Sequence, residues 1–223
     1  EEISKVSKKY NLWLHVDGAF GGSVIFTEKY KSLVKGVEKS DSFCFNAHKT
    51  LGVPLSTSVL VVNDVKCLEK SFGNKASYLY QTHDNDYNLG QTSFECGRRN
   101  NALKLWTMWK SIGTKGISQI INHEFDLADF AREYVINNDN YKLYSFENSL
   151  SICFNYKKYD PIDLCTKLYE KNKVMVGFGY FNKQCFIRLV TINGENSKKD
   201  ILNFFKTLEE FVESNKDLIK KIK

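Results

Sequence analysis

The sequence predicts an α/β domain followed by a smaller α+β domain, and two patterns along the chain carry this prediction. Near the start, an apolar strand at 11–17 is followed by a glycine-containing loop at 18–23, a predicted helix at 27–40 and a second strand at 42–46. Strands separated by a helical segment are typical of α/β sheets. Beyond about residue 120 the predicted order is strand, helix, strand, strand, helix, which is typical of a small α+β domain.

The first domain is predicted to continue with a third strand and an amphipathic helix. The strand is "STSVLVV" at 56–62, and the helix occupies 100–113, where Gly113 is expected to end it. The apolar residues of this helix fall on one face, which we predict to be core. They are Ala102, Leu105, Trp106, Trp109 and Ile112.

The second domain is predicted to begin near residue 120, which gives domains of 1–120 and 121–223. A helix at about 117–137 leads into it. Its further elements are one or two strands within 141–156, a helix opened by Pro161, strands at 174–180 and 184–192, and a helix opened by the S-x-x-D pattern at Ser197 and Asp200.

Composition indicates a water-soluble globular protein and excludes some function classes. The 223 residues are 42% hydrophobic, and their net charge of +6 (32 Lys and Arg against 26 Asp and Glu) is spread along the chain. No basic stripe with aromatic platforms predicts nucleic-acid binding. No apolar run reaches the roughly 18 residues of a membrane span. The six cysteines form no C-x-x-C pair, which predicts free thiols in the cytoplasm and no metal site.

The first residues, "EEISKVSKKYNLWLHVDG", do not resemble a signal peptide. They are typical of the middle of a helix that runs into a strand. We therefore expect the protein to continue upstream and this chain to be its C-terminal part.

A lysine lies between two apolar strands, in "FCFNAHKT" at 43–50. Lysine is rarely buried, so Lys49 either extends to solvent or is held inside for chemistry. Asp17 ends one predicted strand, and His48 and Lys49 follow another. Because sites of parallel sheets form beyond the carboxyl ends of the strands, Asp17 and Lys49 are expected to face one crevice. A simple ion pair between them is the structural alternative.

Five motifs in order resemble one enzyme family over residues 10 to 212. They are "LHVDGAFGG", "SFCFNAHK", "ASYLYQ", "CGRRNNALKLWTMWKSIGTKG" and "FIRLV". Together they resemble the pyridoxal-5′-phosphate (PLP) dependent group II amino acid decarboxylases, which act on glutamate, cysteine sulfinate or aromatic amino acids. The resemblance implies a fold-type I architecture, with part of the large PLP-binding domain before a small C-terminal domain, and a homodimer.

The same resemblance implies the roles of the cofactor residues. Lys49 is expected to form the Schiff base with PLP, and Asp17 to pair with the pyridinium nitrogen. Ala19 is expected to pack against the ring. Asn46 and His48 are expected to help hold the phosphate, with His48 also among the catalytic residues.

Two further residues are assigned by the resemblance to the substrate. Tyr78, in a long polar segment at 72–92, is expected to protonate the substrate carbon after CO₂ leaves, although Tyr80 is only two residues away. Arg188 lies in the apolar strand "CFIRLV" and is expected to be buried, where it would bind the distal acidic group of the substrate or form an internal salt bridge. His15 is expected to have a structural role.

The predicted function is the PLP-dependent decarboxylation of a small acidic amino acid: cysteine sulfinate, glutamate or aspartate. Some positions depart from the family pattern. Gly18 and Ala47 replace an alanine and a proline, and the loop "VGFGYFNKQ" differs from the commoner "VGYQP". The family's ring-stacking histidine lies in an N-terminal half that has no counterpart here. Two alternatives stay open: an aromatic amino acid decarboxylase, and a truncated, non-catalytic homologue that only dimerises.

Overall fold

A computed structural model describes residues 1–73, 92–95 and 97–222. The chain divides into two compact units, Glu1–Ser118 (unit 1) and Gln119–Lys223 (unit 2), and each is described by itself. Tyr78 and Tyr80 lie outside the described residues. No helix in the described ranges is long and apolar enough to cross a membrane.

Unit 1 is built on a three-stranded sheet in the order β1-β2-β3. The strands are β1 (His15–Gly18), β2 (Ser42–Asn46) and β3 (Ser58–Val62). β1 runs parallel to β2, and β3 pairs with β2 in the antiparallel direction. The three predicted strands are confirmed, but β1 is confined to the last part of the predicted segment.

The prediction of an α-helix over residues 27–40 was wrong. This connection contains short 3₁₀ turns at Lys31–Val34 and Val37–Lys39. Gly36 lies between them with φ +96°, a left-handed conformation that interrupts any continuous α-helix. The periodic apolar pattern of this segment therefore does not produce a helix, because the glycine between its two halves turns the backbone.

Three α-helices begin in unit 1: α1 (Glu2–Lys9), α2 (Val65–Phe72) and α3 (Asn101–Ile136). The predicted break in α3 is present, because Gly113 has non-helical angles of φ 66° and ψ 176°. The segment before Gly113 and the segment after it correspond to the two predicted helices.

The predicted core face of α3 is not buried, and that prediction was wrong. The side chains of Trp106, Trp109 and Ile112 are 58%, 38% and 38% exposed. Trp109 packs edge-on against Phe26, with ring centroids 5.1 Å apart, but no described residue covers the rest of the face. Amphipathic spacing identifies which residues share a face, but it does not supply the surface that buries them.

Unit 2 contains a four-stranded antiparallel sheet in the order β4-β5-β7-β6. The predicted order of strands and helices beyond residue 120 is present. The elements are β4 (Tyr141–Leu143), β5 (Ser151–Tyr156), α4 (Pro161–Glu170), β6 (Gly177–Phe181), β7 (Gln184–Val190) and α5 (Lys198–Ser214).

The helices of unit 2 begin where the sequence places their caps. Asp160 accepts a hydrogen bond from the Asp163 backbone N–H at 2.9 Å, one residue before Pro161 opens α4. Ser197 and Asp200 form the predicted capping box at the start of α5. Such caps satisfy backbone N–H groups that have no partner within the helix.

An aromatic cluster forms the centre of unit 2. Phe205 of α5 and Phe154 of β5 are both fully buried. Tyr134 stacks on Phe205 with centroids 4.2 Å apart, and Tyr141 meets Phe205 edge-on at 5.5 Å. Both tyrosine hydroxyls donate to one carboxylate oxygen of Glu209, at 2.9 and 2.8 Å. The tyrosine rings are thus packed in the cluster while their hydroxyl groups keep hydrogen-bond partners.

Candidate active site

The carboxyl ends of the parallel strands β1 and β2 meet at one edge of the unit 1 sheet. Asp17 is paired with Cys44 in the register of these strands. Just beyond them, the Asn46 backbone N–H donates to the Ala19 carbonyl oxygen at 3.2 Å. This bond joins the two chain segments that carry the predicted cofactor residues.

Lys49 lies in a tight turn directly after β2. Its backbone N–H donates to the Asn46 carbonyl at 3.0 Å. The next residue, Thr50, is buried, and its hydroxyl lies 2.5 Å from that of the buried Ser23, in the loop after β1. The turn is therefore anchored to the loop behind it, which fixes the position from which the half-buried Lys49 side chain extends.

The Asp17 carboxylate is held through one of its two oxygens. Oδ1 accepts hydrogen bonds from the Ala19 backbone N–H at 2.9 Å and from the Cys44 thiol at 3.6 Å. The Ala19 N–H is the larger cause and the thiol the second cause of a pKa of Asp17 below its usual value. Oδ2 has no hydrogen-bond partner among the described residues. The Asp17 side chain is exposed, so Oδ2 is accessible to another group.

Asp17 and Lys49 do not form the ion pair that was the structural alternative. Within the described ranges, Nζ of Lys49 has neither a hydrogen bond nor a carboxylate within ion-pair distance. Its positive charge still contributes, as the smallest named cause, to the lowered pKa of Asp17. The ammonium and the carboxylate therefore share one edge of the sheet while each keeps a polar atom available for another group.

His48 is oriented by the backbone of Thr57. His48 Nδ1 lies 3.0 Å from both the backbone nitrogen and the carbonyl oxygen of Thr57. The backbone N–H of His48 also donates to the Thr57 carbonyl oxygen, at 3.4 Å. These contacts with Thr57 hold the imidazole beside the Lys49 turn.

The Gly18 that departs from the family pattern packs tightly in this chain. A Cβ at Gly18 would lie 2.7 Å from both the Cys44 carbonyl oxygen and a ring carbon of Phe43, and 2.8 Å from Gly22 Cα. A side chain here would push the loop after β1 away from β2. The glycine therefore preserves the close approach that places Ala19 beside Asn46.

Arg188 is exposed, and the expectation that it is buried was wrong. It is in β7 of unit 2, where its neighbour Ile187 faces the core and Arg188 points to the opposite face. Across the sheet it faces Cys153 on β5 and Gly177 on β6. Its Nε–H donates a hydrogen bond to Ser151 Oγ at 3.3 Å.

Arg98 and Arg99 lie away from the Asp17 edge. Together with Trp106 and Trp109 they line a cleft of about 900 Å³ in unit 1, whose lining does not include Asp17 or Lys49. Arg98 donates to the Ser93 hydroxyl. The structure thus gives Arg98 a local structural contact.

The residues at the Asp17 edge fit the chemistry of a PLP site. PLP needs a lysine amine for covalent attachment, and a carboxylate for its ring nitrogen. Lys49 Nζ has no competing partner in the described ranges, and Asp17 keeps one oxygen without a bond. Ala19, whose backbone N–H binds Asp17, has only a methyl side chain, which leaves room for a flat ring.

Comparison with known proteins supports the same class. A model of the family "Pyridoxal-dependent decarboxylase conserved domain" matches residues 1–157. An acidic amino acid decarboxylase of Mus musculus is 30% identical, over 90% of this chain and 40% of that protein. A cysteine sulfinic acid decarboxylase of Homo sapiens is 35% identical, over 69% of this chain and 32% of that protein. The crystal structure of mouse CSAD matches with a TM-score of 0.84 at 28% identity, covering 93% of this chain and 47% of that one.

The chain belongs to the pyridoxal-dependent decarboxylase family, whose cofactor is PLP. Its mixed α/β fold is that of the PLP-dependent decarboxylases. The chain spans less than half the length of these relatives. The family match extends from residue 1 to residue 157 and does not bear out the expectation that this chain is a C-terminal part.

Two residues next to Asp17 were missed as functional candidates. His15 was assigned a structural role, and Cys44 was counted only as a free thiol. The alternation of a β-strand contains the missing signal, because His15 and Asp17 share one face of β1 while Ser42 and Cys44 share the matching face of β2.

Proposed function

We propose that this chain forms part of a PLP-dependent decarboxylase of a small acidic amino acid, such as cysteine sulfinate, glutamate or aspartate. One observation carries the proposal. Lys49, with no partner for its amine in the described ranges, shares a sheet edge with Asp17, whose second oxygen also has no partner. The similarity to acidic amino acid and cysteine sulfinic acid decarboxylases supports the reaction and the substrate class.

Each residue of the edge has a role that its contacts support. Lys49 supplies the amine that attaches the cofactor covalently, and the anchored turn sets the direction of its side chain. Asp17 pairs through Oδ2 with the cofactor's ring nitrogen and keeps that nitrogen protonated. When bound, PLP supplies the electron sink that accepts the electron pair left by departing CO₂. His48 and Asn46 help to hold the phosphate, and Ala19 packs on the ring.

Arg188 binds the acidic group of the substrate. An arginine guanidinium binds a carboxylate or sulfinate through two parallel hydrogen bonds. Its facing residues on the neighbouring strands, Cys153 and Gly177, are small. Tyr78, outside the described residues, is the proposed donor of the proton that replaces CO₂ at the substrate carbon, because a phenol can act as a general acid.

The proposal extends to assembly and location. Unit 2 is the small domain of the enzyme, and unit 1 is part of its PLP-binding domain. The enzyme is a homodimer that works in the cytoplasm. The cysteines support a reducing compartment, since Cys44, Cys67, Cys153, Cys165 and Cys185 are all free thiols.

Substrate-dependent CO₂ release from the protein purified from its natural source tests this function. We expect release from one or more of the three acidic amino acids and none from aromatic ones. Arg188→Ala should raise the KM for the acidic substrate by about tenfold or more, because a charged hydrogen-bonded contact is lost. Lys35→Ala, which removes an exposed cation of unit 1, is the matched control and should leave KM unchanged.

Two outcomes would redirect the proposal. Release from aromatic amino acids, with no effect of Arg188→Ala, would establish the aromatic alternative. A dimeric protein that binds no PLP and releases no CO₂ from any amino acid would establish a non-catalytic homologue.

A further inference from the structure

A row of polar side chains runs along one face of β1 and β2 and ends at Asp17. The indole N–H of Trp13 donates to Ser42 Oγ at 2.9 Å, and Ser42 Oγ lies 2.7 Å from His15 Nδ1. His15 Nε2 lies 3.8 Å from Cys44 Sγ, which in turn lies 3.6 Å from Asp17 Oδ1. Four side chains of β1 and β2, together with Trp13 just before β1, thus form one continuous array.

The hydrogens of this array can all point the same way. The Trp13 N–H can only donate, so Ser42 accepts from it and is able to pass its own O–H hydrogen to His15 Nδ1. The His15 hydrogen then belongs on Nε2, which donates to the Cys44 sulfur. The thiol hydrogen remains for Asp17. This assignment gives every contact one hydrogen and directs the last one at the carboxylate.

We propose that His15 and Cys44 are positioning residues, which hold the Asp17 carboxylate so that its second oxygen faces the ring nitrogen of PLP. This inference rests on the proposed function, since it assigns Asp17 to the cofactor. It goes beyond that function, because it adds two residues that do not themselves touch the cofactor or the substrate.

Two properties of the thiol make it suited to this task. Burial, and then the neighbouring Asp17, raises the pKa of Cys44 above its usual value, so the thiol stays protonated at neutral pH and remains a donor. The Ala19 N–H and the Cys44 thiol together occupy Oδ1. A carboxylate held by two donors on one oxygen cannot rotate freely, so Oδ2 keeps a fixed direction.

His15 acts through Cys44. Its Nδ1 is fixed by Ser42, which is buried, so the exposed imidazole has a rigid attachment on one side. Its Nε2–H then selects the rotamer of Cys44 in which the sulfur lies between the imidazole and the carboxylate. His15 also contributes, as a minor cause, to lowering the pKa of the Asp17 carboxyl.

The first test uses the protein without cofactor. Carbon-13 NMR titration of the Asp17 carboxyl should show its pKa rising in Cys44→Ala and in His15→Phe. It should stay low in Cys44→Ser, which keeps a donor, and in His15→Gln, whose amide N–H replaces Nε2–H. Cys67→Ala is the matched control, because Cys67 is also a thiol beside an aspartate, 4.0 Å from Asp64 Oδ2, but lies on α2. An Asp17 pKa equal in all five variants would overturn the proposal.

The second test measures PLP affinity by equilibrium dialysis of the full-length protein. We expect Cys44→Ala and His15→Phe to weaken PLP binding by about fivefold, the size expected for one modest hydrogen bond. Cys44→Ser, His15→Gln and Cys67→Ala should stay within about twofold.

The two tests separate this inference from the proposed function. If the parent protein binds no PLP, the proposed function fails whatever the variants do. If the parent binds PLP and releases CO₂ while Cys44→Ala and His15→Phe match Cys67→Ala in both tests, only the positioning role fails.

Discussion

The two compact units differ in how they bury apolar side chains. Among the largest fully buried side chains of the described residues, all but Ile117 lie in unit 2. Unit 1 instead carries most of the large exposed apolar side chains, including Trp13, Leu60, Val61 and Trp106. Unit 2 therefore buries a core made of its own side chains, whereas unit 1 presents apolar surface that no described residue covers.

The two units therefore bury their apolar side chains in different ways. Exposed apolar area costs about 25 cal/mol for each Å² that could be buried. The relatives have more than twice the length of the segment that this chain matches, so their folds include surface that this chain does not contain. We therefore expect substitutions of the buried side chains of unit 2 to lower the free energy of unfolding strongly. Substitutions of the exposed apolar side chains of unit 1 should lower it much less.

The largest effect is expected in the aromatic centre of unit 2. Phe205→Ala should lower the free energy of unfolding by about 3–5 kcal/mol, because it removes a fully buried ring on which Tyr134 stacks. Urea unfolding followed by circular dichroism measures the change. A loss below about 1 kcal/mol would mean that the core of unit 2 is not packed as described.

A buried carboxyl gives unit 2 a pH dependence. Glu124 is 0% exposed, neither of its carboxyl oxygens has a partner in the described ranges, and burial raises its pKa to about 9. In the unfolded state the Glu124 carboxyl loses its proton near pH 4.5, whereas in the folded state it stays protonated up to about pH 9. Stability should fall as pH rises towards 9, by about 1.4 kcal/mol per pH unit from this group.

Two variants isolate the contribution of Glu124. Glu124→Gln keeps a buried amide that cannot ionise, so its stability should exceed that of the parent by an amount that grows between pH 6 and pH 8. Glu124→Met should be more stable than the parent at both values, since it buries no polar group. Parallel stability profiles for the parent and Glu124→Gln would show that Glu124 does not ionise on unfolding.

A smaller effect is expected at the start of α5. Ser197→Ala removes the hydroxyl that caps this helix and should cost about 1 kcal/mol. Ser197→Thr keeps the cap and should cost less. Thermal unfolding compares the two variants, and equal losses would argue against the capping box.

The smallest effect is expected on the exposed face of unit 1. Trp106→Ala should change the free energy of unfolding by no more than about 0.5 kcal/mol, because the side chain is 58% exposed. It should instead lower the binding of a dye such as ANS to the apolar surface. A destabilisation as large as that of Phe205→Ala would remove the distinction between the two units.

Much of the fold follows from local sequence signals. β2 begins and ends as predicted, and Gly113 breaks α3 where its conformational freedom indicated. The failures concern long-range context. The segment 27–40 has helical periodicity, but Gly36 turns the backbone. The α3 face containing Trp106 was predicted as core, because periodicity alone does not tell whether an apolar face finds a partner.

For the candidate site, the sequence indicated the residue types and the structure added their arrangement. Asp17 and Lys49 were predicted at one sheet edge because each follows a predicted strand of a parallel sheet, and β1 and β2 do pair in parallel. The contact of Cys44 with Asp17 depends on strand register, which the sequence does not state directly. Arg188 was predicted to be buried because its neighbours are apolar, but alternation along β7 places it on the opposite face from Ile187.

The central claim is that Lys49 attaches PLP, and one measurement tests it directly. The protein from its natural source would be reduced with borohydride, digested, and its peptides mapped by mass spectrometry. The account predicts a pyridoxyl group on the peptide that contains Lys49, and on no other lysine. A PLP-free protein, or a pyridoxyl group on a different lysine, would contradict the account.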